Sequence, residues 1–454
     1  MKIRQFQAPN DSSFTPFKLR FSRPEKAEDN FFSILIGANG TRKSRTLRDI
    51  IDLASRMASR EALEYGNKAG GLELWGGSLE LRSIRKIIAL SGVATDRFPS
   101  RLTLRGKRDR GDLYSYIGPR TENNLVSRVQ SINRVALSLL QASDQIHHRG
   151  RAISALLKII GGFNRIEFTF RANDDLQAKL STTQLLNRFR KANAEHRGFS
   201  WDEREAGPLL PKIVEIVNSS GPIKLRVEVQ PSFSLIVKGD IKAMTLLVSS
   251  GLLTVEGAYI GNYSTTDAYS LSELSSGQWH ILSSLLFTAA SVEDGTLLLV
   301  DEPENSLHPS WQQQYLGLLN DMIEGVKGVH VVVATHSPLV ASSLPPGRCE
   351  VVQIRQTRGR LIARALPSGP FGWTADEMLK DVFGLSSSRS LEFSQEMAGA
   401  LRLFGAGDRD NPKLVSAVEN LARLKEGLPE DDLARSVIET LSSVVLGGSS
   451  KGEV

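Results

Sequence analysis

The feature that most constrains the fold is an apolar run that ends in a glycine-rich octapeptide and then passes into a helical period. Phe31-Phe32-Ser33-Ile34-Leu35-Ile36 is short, almost wholly apolar, and stops at Gly37. A run of this kind reads as a strand buried on both faces, which is a property of parallel sheets in α/β proteins. Gly37-Ala38-Asn39-Gly40-Thr41-Arg42-Lys43-Ser44 follows, and Leu47, Ile50, Ile51, Ala54 and Met57 then recur at helical spacing over 44–64. Strand, glycine turn and helix in this order form a phosphate cradle, because backbone N–H groups and the helix N-terminus converge on the turn. Lys43 is expected at the β/γ-phosphates and the Ser44 hydroxyl on Mg²⁺, with Arg45 opening the helix beside them. Arg42 stands where the usual pattern has Gly. A Cβ at this tight turn strains the backbone, or the guanidinium adds a phosphate contact. A strand–turn–helix with a chance Gly and Lys is the plain alternative.

Three further segments bear on that choice. Leu297-Leu298-Leu299-Val300-Asp301-Glu302-Pro303 is an apolar strand ending in two carboxylates. Unpaired carboxylates at the end of a buried strand are costly, so a cation partner is implied. Asp301 is expected to support Mg²⁺ and Glu302 to polarise an attacking water. Leu274-Ser275-Ser276-Gly277-Gln278 precedes an apolar helix with Ile281, Leu282, Leu285 and Leu286. Small residues at a helix start make an anion site, although Ser-Ser-Gly-Gln by itself is as well explained as a helix cap. Val331-Val332-Val333-Ala334-Thr335-His336-Ser337-Pro338 puts His336 at the end of another apolar strand, 34 residues after Glu302. His336 is placed to meet a γ-phosphate or the Glu302 carboxylate.

Together, in this order, the four segments resemble the ABC-type ATPase heads, with a Walker A loop, a signature sequence, a Walker B strand and a switch histidine. The resemblance covers about residues 1–120 and 222–370. It implies an α/β fold: an ABC-type head with a mixed sheet, an antiparallel β-subdomain, a helical insertion and C-terminal helices. The string Asp301-Glu302-Pro303-Glu304-Asn305-Ser306-Leu307-His308-Pro309 is similar to the prokaryotic branch that includes RecF-like and OLD-family ATPases. In such heads the nucleotide is held by the loop residues, here Gly37, Asn39, Gly40, Thr41, Arg42, Lys43, Ser44 and Arg45. The resemblance also implies an ATP-sandwiched homodimer in which Ser275, Ser276, Gly277 and Gln278 act on the ATP of the second copy. OLD-family nucleases carry a further metal-dependent nuclease unit. The one Asp-x-Asp after His336, Asp408-Arg409-Asp410, follows a Gly-Ala segment and reads as a solvated turn. Ser91–Pro99, Phe371–Leu379 and Val382-Phe383-Gly384 resemble segments of the Septu-type anti-phage ATPases, some of which accompany retrons. That resemblance implies a separate HNH-type nuclease partner that the ATPase restrains or licenses.

Length and composition agree with this organisation. At about 150 residues per domain, 454 residues suggest roughly three. The expected divisions are an N-terminal lobe (1–120), a mainly helical insertion (121–221), a C-terminal lobe (222–370) and a helical partner-binding region (371–454). Within the insertion, 191–210 is polar and reads as a loop. Cys349 is the only cysteine, which excludes an intrachain disulfide and a Cys-rich zinc site. With no apolar run of about 18 residues and no signal-peptide core, a cytoplasmic chain without a membrane span is expected.

The formal charge of +6 permits a nucleic-acid surface without requiring one. Arg97, Arg101, Arg105, Lys107, Arg108 and Arg110 fall within 14 positions. They read as a contact to DNA or RNA phosphates, as a dock for an acidic partner, or as a solvated loop. Three functions stay open at this stage: an ATPase governing an effector nuclease in phage defence, a RecF-like DNA-binding repair ATPase, and a scaffold that ATP holds together without turnover.

Overall fold

The computed structural model describes residues 2–9, 17–23, 25–26, 28–58, 70–75, 84–100, 102–104, 107–108, 113–120, 127–173, 181–195, 203–219, 221–230, 232–262, 268–345, 347–358, 360–366, 371–382, 384 and 389–447. The chain divides into two units, Met1–Trp373 and Thr374–Val454.

The first unit is built on a seven-stranded sheet. Its order is Arg360–Leu366, Cys349–Thr357, Phe31–Ile36, His330–Thr335, Thr296–Asp301, Lys86–Ser91 and Tyr114–Ile117. All neighbours run parallel except the edge hairpin Cys349–Thr357/Arg360–Leu366. The three central strands are buried at every residue, which is why their sequences show no polar alternation. Helix Lys43–Ala58 lays Leu47, Ile50, Ile51 and Ala54 on one face, against Leu35, Leu297, Leu299, Val332 and Ala334. Burial of each of the large side chains stabilises the helix by about 1.5–3 kcal/mol. Leu298, Val300, Val331 and Val333 are equally buried but lie outside that cluster, as pleating sends alternate side chains to the other face. Helix Ser276–Ser291 packs against Lys86–Ser91 and Tyr114–Ile117.

A five-stranded antiparallel sheet follows the order Ser234–Val237, Ile223–Glu228, Arg165–Ala172, Leu253–Gly261 and Ala268–Ser270. Its middle strand, Arg165–Ala172, lies within the stretch 121–221 that the sequence reads as mainly helical, with no strand expected there. Ile166, Phe168 and Phe170 are buried while Arg165, Glu167, Thr169 and Arg171 alternate with them, a period of two inside a helix-rich stretch. The flanking helices Arg128–Gln141, Gly150–Gly161, Thr182–Glu195 and Leu210–Asn218 agree with the helical period. The expected loop over 191–210 is partly helical: Thr182–Glu195 runs into it and Glu203–Ala206 forms a further turn, while 196–202 lie outside the described residues.

The second unit contains helices Leu391–Gly405, Pro412–Leu424 and Leu433–Val445, capped by the side chains of Ser390, Asn411 and Asp432. Ala400, Leu414, Val418, Leu421, Ile438, Leu441 and Val445 form its core. Asp408, Arg409 and Asp410 are exposed in the connection between its first two helices.

Candidate nucleotide site

Strand register assembles the site. Ile36 is paired with Thr335, Ala334 with Asp301, and Asp301 with Ser91. Four adjacent parallel strands thus end level with one another. The residues that follow them, Gly37, His336, Glu302 and Gly92, emerge side by side at the carboxyl edge, where open α/β sheets bind ligands. Segments that are 299 residues apart in sequence, Gly37 to His336, become neighbours in this way.

The glycine loop is closed by Thr41, whose hydroxyl donates to the Ala38 carbonyl at 2.8 Å. Gly37 has no room for a side chain, because a Cβ there would lie 2.3 Å from the Ile354 carbonyl oxygen. Arg42 has φ of 66°, in the left-handed region that favours glycine. The departure from the glycine pattern therefore falls on a backbone that still has the glycine conformation. The Lys43 ammonium donates to the carbonyls of Gly37 at 2.9 Å and Ala38 at 3.2 Å. Burial lowers its pKa to about 8, opposed by the nearby carboxylates of Glu302, Glu304 and Asp301.

Asp301 is 1% exposed and neither of its carboxylate oxygens has a hydrogen-bond partner. Burial raises its pKa to about 7, and the Ser44 side chain beside it acts in the opposite direction. An orphaned carboxylate next to a hydroxyl is the donor set a hard cation needs. Among the described residues no group of three or more His, Cys, Asp or Glu could hold a metal by themselves. The fit is thus to Mg²⁺ shared between a few protein oxygens, phosphates and water rather than to a protein cage.

His336 links the two sides of the site. Its Nδ1 lies 3.4 Å from Lys43 Nζ, and an ammonium can only donate, so Nδ1 is the acceptor. The ring proton then belongs on Nε2, which lies 3.9 Å from Glu302 Oε1. Burial and the Lys43 charge lower the His336 pKa to about 4, so the ring is neutral at pH 7. Glu302 itself has φ of 49°, and its backbone N–H donates to the Ala334 carbonyl at 2.9 Å. An open cavity of about 710 Å³ is lined by Asn39, Gly40, Arg42, Lys43, Ser44, Arg45, Arg97, Glu302, Glu304, Asn305 and His336. That volume suits a nucleotide-sized ligand.

The signature residues do not line this cavity. Ser275 caps helix Ser276–Ser291, accepting from the Gln278 N–H, while the Gln278 side chain accepts from the Ser275 N–H. Gly277 is a close-approach glycine: a Cβ there would lie 2.3 Å from the Ser306 carbonyl oxygen. Of the basic cluster, Arg97 lines the cavity. Its neighbours fasten it there: Phe98 is 1% exposed, and Asp96 accepts from the Phe98 N–H, from the Tyr116 hydroxyl and from Arg120. Lys107 and Arg108 form a two-residue strand paired with Thr103 and Leu104. Arg101, Arg105 and Arg110 lie outside the described residues.

The resemblance to ABC-type heads puts residues 302–309 at the expected interface of two ATP-bound copies and gives Glu304 and Asn305 no separate role in the nucleotide site. The Asn305 amide donates to the Gly92 carbonyl at 2.6 Å, and Glu304 accepts from the Thr335 hydroxyl at 2.8 Å and the His336 N–H at 2.5 Å. The available signal was a third acid within four residues of a buried strand end, Asp301-Glu302-Pro303-Glu304.

Residues 32–342 match the family model of the AAA domain described for AbiEii-type toxins of type IV TA systems. The chain belongs to this family. It is thereby an ATPase of the AAA/ABC type, and the residues from Gly37 to His336 described above all lie within the matched range. The Septu protein PtuA of Bacillus thuringiensis is 30% identical over 97 residues, 21% of this chain and 24% of that protein. Protein ea59 of Escherichia phage lambda is 36% identical over 75 residues, 16% of this chain and 14% of that protein. The matched stretches thus span no more than a quarter of either relative. Among solved structures, the SMC head domain from Thermotoga maritima aligns with 81% of this chain and 99% of that one, at 13% identity and a TM-score of 0.36. The Pyrococcus furiosus Smc head, bound to the C-terminal domain of ScpA, aligns with 80% and 96%, at 11% identity and a TM-score of 0.33. At such scores the fold of this ATPase is read from its own sheet order. Among the described residues no helix is long and apolar enough to cross a membrane.

Proposed function

We propose that this ATPase binds and hydrolyses ATP with Mg²⁺ and uses that cycle to govern a separate effector nuclease of the HNH type in anti-phage defence. The observation that carries the nucleotide half of the reading is the orphaned Asp301 carboxylate, buried beside Ser44, which lines one cavity with Lys43, Glu302 and His336. A buried carboxylate with no partner is a standing cost of several kcal/mol that a cation offsets. Ser44 and Asp301 would hold Mg²⁺, which neutralises charge on the β- and γ-phosphates when bound. The backbone amides from Gly37 to Ser44 and the Lys43 ammonium would cradle the phosphates. Lys43 must exchange its bonds to the Gly37 and Ala38 carbonyls for phosphate oxygens, which a buried ammonium does at small desolvation cost. Glu302 would take a proton from the attacking water, and the His336 Nε2–H would meet the γ-phosphate on the same side.

Pairing of two heads across ATP would bring Ser275 and Gly277 of one copy to the nucleotide of the other. Their position outside the cavity of their own chain supports that arrangement. The defence role rests on the Septu-type resemblance, and the nuclease partner is part of the same proposal. Arg97 is assigned to the nucleotide side rather than to a nucleic-acid surface, because it lines the cavity.

The test is ATP affinity and turnover of the purified chain with Lys43→Ala and Glu302→Gln, and phage plaque counts in cells carrying the same variants beside a candidate nuclease partner. Lys43→Ala should lose binding and protection. Glu302→Gln should bind ATP but turn over at least a hundredfold more slowly. Wild-type protein that neither binds nor hydrolyses ATP would overturn the enzymatic reading. Protection that is unaffected by Lys43→Ala would overturn the defence reading alone.

A further inference from the structure

The loop that follows the carboxylate strand contains a third acid whose place the ATPase reading leaves unexplained. Glu304 is not among the acids that meet metal or water in that reading, yet its side chain reaches back under the neighbouring strand end. Oε2 accepts from the Thr335 hydroxyl at 2.8 Å, and Oε1 accepts from the His336 backbone N–H at 2.5 Å. Both donors belong to the two residues at which strand His330–Thr335 turns into the segment bearing the His336 ring. Burial raises the pKa of Glu304, and the two donated hydrogen bonds oppose that shift.

We infer that Glu304 is a positioning residue: its carboxylate clamps the Thr335–His336 peptide so that the His336 ring spans Lys43 and Glu302. Three observations support this beyond simple packing. First, the peptide it holds is the one that sets the 3.4 Å separation of His336 Nδ1 from Lys43 Nζ and the 3.9 Å separation of Nε2 from Glu302 Oε1. Second, the same residue lines the nucleotide cavity, so the clamp and the ring share one wall. Third, the clamp adds to the bonds that already tie the two strand ends together. The Glu302 N–H is bonded to the Ala334 carbonyl, the Ser337 N–H to the Thr335 hydroxyl, and Ser337 Oγ to Gln312 Oε1 at 2.7 Å. Thr335 therefore donates to Glu304 while accepting from Ser337, which makes the turn a continuous relay from Glu304 to helix Pro309–Met322. A ring on a free turn would lose its alignment by rotation of one peptide, and displacement of about 1 Å at a reacting group can reduce rate a hundredfold.

This inference rests on the ATPase reading for its catalytic consequence but not for its structural one, and the experiment separates the two. Glu304→Gln retains the shape, accepts from the His336 N–H through its oxygen and donates to the Thr335 hydroxyl through its amide. Glu304→Ala removes both contacts. Hydrogen exchange of the His336 and Ser337 amides, measured without nucleotide, should speed up at least tenfold in Glu304→Ala and stay near wild type in Glu304→Gln. With ATP, Glu304→Ala should lower kcat at least tenfold while KM changes less than threefold, and Glu304→Gln should recover most of the rate. In a His336→Ala background, Glu304→Ala should lower kcat no further, because it acts through that ring. Unchanged exchange in Glu304→Ala overturns the clamp. Additive losses in the double variant overturn its action through His336. If wild type shows no turnover, the ATPase reading fails and the exchange result still decides the clamp.

Discussion

Arg42 offers a perturbation whose magnitude follows from one backbone angle. A non-glycine residue in the left-handed region costs about 1–2 kcal/mol relative to right-handed backbone. Arg42 adopts φ of 66°, so its Cβ carries that strain whatever its guanidinium does. Replacement by glycine releases the strain but adds about 0.4–1 kcal/mol of chain entropy to the unfolded state. Replacement by alanine retains the strain and removes only the guanidinium. Arg42→Gly should therefore be more stable than Arg42→Ala by about 0.5–1 kcal/mol, which in a unit of this size is a Tm difference of about 1 °C. The burial of Leu47, Ile50 and Ile51 in the following helix is several times larger, which is why the loop holds its shape despite the strain.

The same pair of variants reads the guanidinium separately. Arg42 lines the cavity, and a charge-assisted hydrogen bond to phosphate is worth about 1.5–3 kcal/mol, or roughly a ten- to hundredfold change in affinity. If Arg42 contacts phosphate, both variants should lose ATP affinity equally. If it only strains the turn, both should bind as wild type does, and Arg42→Gly should turn over faster. Differential scanning fluorimetry and titration with a fluorescent ATP analogue measure both effects. An alanine variant that melts at or above the glycine variant would refute the strain argument.

Other outcomes follow from the site and its surroundings. The Asp301 pKa is raised to about 7, so the folded state without metal favours its protonated form and loses stability as pH rises from about 4 through 7; Asp301→Asn should be more stable than wild type by up to about 4 kcal/mol at pH 8 in EDTA, and should gain nothing from Mg²⁺ and ATP. His280 has its pKa lowered to about 4 by burial; the unfolded chain takes up that proton from pH 6.5 downward, so stability should fall between pH 6.5 and 4 by up to about 3 kcal/mol, seen as a lower urea midpoint that His280→Gln flattens. Gly277→Ala would put a Cβ 2.3 Å from the Ser306 carbonyl oxygen; the resulting shift should cost about 1–3 kcal/mol in thermal melts of the isolated chain, and an unchanged Tm would leave Gly277 with a role only in a second copy's site.

Much of the candidate nucleotide site is legible in the sequence because its parts are strand ends. A strand buried on both faces must be apolar throughout, so the first glycine, acid or histidine after it is conspicuous. Gly37, Asp301 and His336 are visible for that reason. The parallel register then does the assembling, and no reading of spacing along the chain could supply it. The strand Arg165–Ala172 was hidden for the opposite reason: its buried residues number only three, polar residues alternate with them, and helical periods surround it on both sides.

What the sequence conceals is the difference between acids that look alike. Asp301, Glu302 and Glu304 lie within four positions, and composition gives them one character. The structure separates them by what each oxygen meets. Asp301 is buried with no partner, which is the condition for a cation. Glu302 faces the His336 ring from the cavity wall, with Oε1 3.9 Å from Nε2. Glu304 has both oxygens occupied by donors from the adjacent strand end, so it has little capacity left for a ligand. A carboxylate's role is decided by its unfilled lone pairs, and those are set by backbone N–H groups that belong to other strands. Glu302 and Ser306 both take positive φ, 49° and 64°, in turning this loop, so the separation of the three acids is held by a strained backbone. Strain of about 1–3 kcal/mol per residue persists only where the surroundings over-determine it. Here those surroundings are Gly92 and Gly277, whose missing side chains admit the carbonyls of Glu302 and Ser306.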